Sequence, residues 1–99
     1  MTIVNATKNH GHYRIEIDNH AGSKIVCAAV SALVYALAGA VANNPTVQTH
    51  YETLEPGHAL VDYLSDDPTG EEDMRMCVIG LKQIQLAHSE EISITENIF

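Results

Sequence analysis

The 99-residue sequence has no tryptophan and a single phenylalanine. Four tyrosines are the only other aromatics, so a core must be built from aliphatic residues and alanine. Positive charge is also scarce. Five Lys and Arg residues stand against 13 Asp and Glu, for a net charge of −8. Lys8, Arg14, Lys24, Arg75 and Lys82 are scattered, which argues against the basic patch of a nucleic-acid binder. The acidic balance suits a partner that is a basic peptide. Cys27 and Cys77 are too few for a disulfide framework and point to a reducing, cytoplasmic setting. Met1 to Tyr13 is polar, so no secretory leader is expected there. No glycine-rich phosphate loop, internal repeat, linker or low-complexity run is present.

What is present is 45% apolar sequence, enough for one globular domain over residues 1–99. A strand is expected over 2–7, with Val4 and Ala6 or Ile3 inward. Asn9-His10-Gly11 then signals a turn. Tyr13, Ile15 and Ile17 alternate with Arg14, Glu16 and Asp18, the pattern of a half-buried strand over 12–18. Ser23 can cap a helix over 24–43, which Asn43-Asn44-Pro45 stops. That helix is apolar nearly all round. Its alanines, Ser31 and Gly39 favour a buried helix over a membrane span. Its second apolar side calls for a second layer or a dimer interface.

Strands are expected over 46–54 and 58–64, joined at Glu55-Pro56-Gly57. Thr69-Gly70-Glu71-Glu72 reads as a capping box for a helix over 70–88, with Met74, Cys77, Val78 and Leu81 on its inner face. A last strand is expected over 91–97. The order is ββαββαβ, an α+β sandwich of one antiparallel-rich sheet and two helices.

The stretch with chemical promise is His20-Ala21-Gly22-Ser23-Lys24-Ile25-Val26-Cys27. It places a histidine on a loop and a cysteine in the first turn of a helix. A helix start and a nearby imidazole both ease loss of the thiol proton, and Lys24 can add positive charge. Backbone N–H groups near Ile25 to Ala28 can serve an oxyanion. The plainer alternatives are a cysteine used as a small apolar residue and an exposed loop histidine with no role. Ser31, one turn after Cys27, can bond the site loop or its own backbone.

His10, His12 and His20 have no carboxylate or cysteine at ligand spacing nearby, so no metal is expected. His50 and His58 are expected as cross-strand neighbours, and Cys77 as core.

The same residues carry a resemblance. Asn19-His20-Ala21-Gly22 followed by Ile25-Val26-Cys27-Ala28-Ala29-Val30-Ser31 resembles the ribosomal-processing cysteine protease (Prp) family. The likeness extends along the chain through Val78-Ile79-Gly80-Leu81-Lys82 to Ile92-Ser93-Ile94. It implies Cys27 as nucleophile and His20 as base, with Ser31 matching the family serine and Gly22, Ser23 and Lys24 in the intervening loop. It also implies a homodimer without cofactor. The implied substrate is the N-terminal extension of a large-subunit ribosomal protein. Three positions depart from the family pattern. The loop between histidine and cysteine is several residues shorter, Lys24 replaces an aspartate, and Asn19 replaces a glycine. Two functions therefore stand open at this point: a cysteine endopeptidase, or a non-catalytic dimeric peptide-binding or accessory member.

Overall fold

In the computed structural model, residues 1–98 are described and Phe99 lies outside them. The elements are β1 (Thr2–Asn9), β2 (His12–Asp18), α1 (Lys24–Ala42), β3 (Val47–Glu55), β4 (His58–Ser65), α2 (Pro68–Ala87) and β5 (Ile92–Ile98). The expected order ββαββαβ is observed. The strands form one mixed sheet in the order β3-β4-β2-β1-β5. Three pairings are antiparallel, and β5 runs parallel to β1.

Local chemistry explains the first hairpin. His10 and Gly11 both have positive φ, 48° and 85°, the backbone of a two-residue turn whose twist matches the strands. The register then sets Ala6 against Ile15 and Val4 against Ile17. On the next strand Tyr13 meets Tyr63, Ile15 meets Val61 and Ile17 meets Ala59. Side chains alternate across a strand, so these residues share one face and both helices cover it. Tyr13 and Tyr63 stack with centroids 5.1 Å apart. The Tyr63 hydroxyl donates to the Gly70 carbonyl at 2.6 Å, which satisfies it in a buried position.

Helix α1 seats Val26, Val30, Val34, Leu37, Ala38 and Val41 in the core. Its second apolar side is not buried within the chain: Ile25 and Tyr35 are 78% and 59% exposed. Ala28, Ala32, Ala36 and Ala40 are exposed beside them. Of the two coverings expected for that side, this chain does not supply a second layer, because the two helices lie side by side in one layer over the sheet; the dimer interface is the other. By length and composition alone α1 could cross a membrane. Strand β3 is a sheet edge and is mostly exposed on both faces.

Helix α2 begins earlier than the expected capping box. Asp67 is the N-cap and accepts from the Thr69 N–H at 2.9 Å, and Pro68 occupies the first turn. Proline fits there because its missing N–H would have no helical partner. The Thr69 N–H and hydroxyl also hold the Asp67 carboxyl below its ordinary value. His50 and His58 are not cross-strand neighbours: His50 faces Tyr63 and His58 faces Glu55.

Two outcomes follow from this packing. A Cβ on Gly70 would stand 2.4 Å from the Ser65 Cβ, on a buried strand residue that has no free end to swing away. Alanine gains about 1 kcal/mol of helix propensity over glycine, but the overlap outweighs it. We expect Gly70→Ala to lose about 1–3 kcal/mol net in urea unfolding. Burial also pushes the Cys77 thiol from 9.0 up to about 12. Above pH 9 the unfolded chain ionises this thiol while the native fold keeps it protonated. The resulting stability is complete below pH 9 and is lost as pH rises toward 12. Unfolding midpoints measured from pH 8 upward should fall, and Cys77→Ala should flatten that slope.

Candidate active site

The site is assembled where β2 ends. Asp18 is the last residue of β2, and Asn19 then turns the chain with φ 71°. Asparagine and glycine are the residues that adopt this left-handed backbone most readily. Asn19 therefore suits this bend. The Asn19 N–H donates to the Gly57 carbonyl at 2.9 Å, and its carbonyl accepts from the buried Thr2 hydroxyl at 3.1 Å. This clamp fixes the backbone that carries His20. The His20 ring lies over the β3–β4 turn, so that a Cβ at Gly57 would come 3.3 Å from its Nε2. Gly57 has φ 78° and follows Pro56, the sequence of a turn that needs glycine at its third position.

Ser23 caps α1: its Oγ accepts the Val26 N–H at 3.1 Å and its carbonyl accepts the Cys27 N–H at 3.1 Å. Val26 and Cys27 thus spend their N–H groups on Ser23. Ala28 bonds back within the helix by ordinary geometry. Of the span Ile25 to Ala28, only Ile25 keeps a first-turn N–H free of helical bonding. This narrows the expected oxyanion donors.

The Cys27 sulfur is half-buried and faces the backbone of Ala21. The Ala21 N–H points at Sγ from 3.2 Å, and Sγ lies 3.5 Å from the Ala21 carbonyl. One residue thus offers a donor to the thiolate and an acceptor to the thiol.

His20, Cys27 and Ser31 line one open cavity of about 180 Å³. Its apolar wall includes Ile17, Val30, Val34, Leu54 and Ala59, and Glu55 and His58 lie at the hairpin side. Of the residues named from sequence, Lys24 is exposed and does not line this cavity. Gly22 and Ser23 lie instead beside Glu91, whose Oε1 accepts the Ser23 N–H at 2.6 Å. Sequence reasoning missed Glu91, Thr2 and Gly57. Glu91 left one trace: Val26 sits where a capping box would carry an acid, so the Ser23 N–H needed an acceptor from elsewhere.

His12 and His20 stand at opposite ends of β2, so they form no cluster. Glu16, Asp18 and His58 do bring ligand atoms within 4.8 Å of one another, a grouping that only the β2–β4 pairing creates. His58 Nδ1 and Asp18 Oδ1 lie 2.7 Å apart there, so these two already satisfy each other.

The sequence model of cysteine protease Prp matches residues 1–93. The chain belongs to the Prp family. Its fold is similar to that of the ribosomal processing protease Prp from S. aureus with a covalently linked product peptide. That match has a TM-score of 0.84 at 20% identity and covers 98% of this chain and 100% of that one. The S. aureus enzyme with a substrate peptide gives the same TM-score and coverage at 19% identity. SMU.848 from Streptococcus mutans is similar at a TM-score of 0.79 and 21% identity, covering 100% of this chain and 96% of that one. No curated protein matches the sequence.

The two thiols of this Prp-family chain are set apart by burial. Cys77 is 4% exposed with its thiol pushed up to about 12, whereas Cys27 reaches the cavity. We expect iodoacetamide at neutral pH to modify Cys27 at least about tenfold faster than Cys77, as read by mass spectrometry of the native protein.

Proposed function

We propose that this protein is a cysteine endopeptidase that removes the N-terminal extension of a large-subunit ribosomal protein. The observation that carries the reading is that Cys27 and His20 line one open cavity, in a chain of the Prp family. Cys27 is the nucleophile. Its thiol proton passes to His20, and the sulfur bonds to the carbonyl carbon of the scissile peptide. His20 then returns the proton to the leaving amine. Water hydrolyses the thioester, releasing the acid and restoring the thiol. The Ala21 N–H supports the thiolate before attack, and Ser31 flanks the cleft on the next turn of α1. The net charge of −8 favours a basic ribosomal-protein tail. The exposed side of α1, with Ile25, Ala32 and Tyr35, is assigned to a second copy of the chain. The cytoplasm is its compartment, where the substrate is made.

One observation favours the second reading, a non-catalytic peptide-binding or accessory member: the His20 ring is seated over Gly57 in a short, tied loop. Incubation with a ribosomal-protein precursor separates the two. We expect a shortened product from the wild type, and a loss of more than about 10³-fold in cleavage rate for Cys27→Ala. Binding of the precursor by the wild type without cleavage would establish the second reading.

A further inference from the structure

A helix that starts at a serine leaves two needs at its first turn. The N–H of the third helical residue wants the serine oxygen, and the serine's own N–H wants an acceptor. In α1 the first need is met locally, by Ser23 Oγ and the Val26 N–H. The second cannot be, because the third helical residue is Val26, which is fully buried and has no acceptor. Glu91 meets it from the far end of the chain, at 2.6 Å and with only 17% of its side chain exposed. Its other oxygen, Oε2, lies 3.3 Å from His88 Nδ1. Its backbone is held too: the Glu91 carbonyl accepts the Thr2 N–H at 2.9 Å, where β5 begins to pair with β1.

Only six residues separate His20 from Cys27, and Ser23 to Val26 are committed to the helix start. Tying the Ser23 N–H therefore fixes the loop one residue beyond Gly22 and two beyond Ala21, the residue that faces the sulfur. We propose that Glu91 is a positioning residue for Cys27: its carboxylate completes the cap of α1 from across the fold and so holds the Ala21 N–H on the sulfur. Its value to catalysis rests on the protease reading. The tie itself does not, and it is tested without substrate.

The titratable and charged groups around the loop and cavity are His20 on the loop, Lys24 exposed on α1, Glu55 and His58 on the β3–β4 hairpin, and Glu91 with His88. All but Glu91 and its partner His88 are unchanged between wild type and the variants. Amide hydrogen exchange at Ser23 and the pH profile of Cys27 alkylation are measured for wild type, Glu91→Ala and Glu91→Gln. Alanine removes the acceptor, while glutamine keeps an oxygen for the Ser23 N–H and removes only the charge.

For Glu91→Ala we expect Ser23 exchange at least about tenfold faster, with the alkylation midpoint moved to higher pH. Glu91→Gln should keep Ser23 exchange within about threefold of wild type and should not raise the midpoint. Unchanged Ser23 exchange in Glu91→Ala would overturn the proposal. So would a midpoint lowered in both variants, the signature of a carboxylate acting only as a nearby negative charge. Absent cleavage with the expected exchange and alkylation results would sink the protease reading and leave the tie standing.

Discussion

The structure depends on how α1 is seated. Val26, Val30, Val34, Leu37 and Val41 lie on one stripe of the helix and are nearly inaccessible to solvent. With 3.6 residues per turn, fixing that stripe fixes every other direction on the helix. Cys27 is one position past the fully buried Val26, about 100° round the axis, and so meets the edge of the core rather than its centre. Ser31 follows one turn later on the same side. The cavity by Cys27 is thus a consequence of core packing, with Ile17, Val30 and Val34 forming its wall.

The short loop then leaves little freedom. Asn19 is bonded on both sides to Thr2 and Gly57, Ala21 bonds the sulfur, and Ser23 bonds Val26 and Glu91. Buried and half-buried peptide groups must find partners, and a loop with few residues must find them at fixed points. Those points come from four separate places: β1, the β3–β4 turn, α1 and the turn before β5. The site therefore reports on the integrity of the whole sheet. Helix α1 opens at Lys24 with no acidic residue in its first turn, and a carboxylate reaches this helix start from Glu91.

Much of the fold was legible because periodicity is a local signal. The alternation in Tyr13-Arg14-Ile15-Glu16-Ile17-Asp18 reads directly as β2, and Met74, Cys77, Val78 and Leu81 read as the inner face of α2. The cap of α2 was read in the wrong place, and the covering of α1 is not supplied by the single chain. The α2 cap was displaced from Thr69 to Asp67, because an aspartate before a proline satisfies the first turn better than a threonine box two residues later. The second apolar face of α1 lies open, because hydrophobic pattern reports what must leave water without saying whether the same chain will cover it.

The sequence by itself determined the element order, the inward faces, the cap at Ser23 and the string Ile25-Val26-Cys27-Ala28-Ala29-Val30-Ser31 that marks the family. These rest on residues near one another in the chain, where spacing alone sets which side chains share a face. The tertiary structure decided the partners of the loop: Thr2 and Gly57 for Asn19, the Ala21 peptide for the Cys27 sulfur, and Glu91 for Ser23. Glu91 stands 68 positions from Ser23. No local spacing encodes that meeting. It exists because β5 runs parallel to β1 and brings residue 91 to the place where α1 begins.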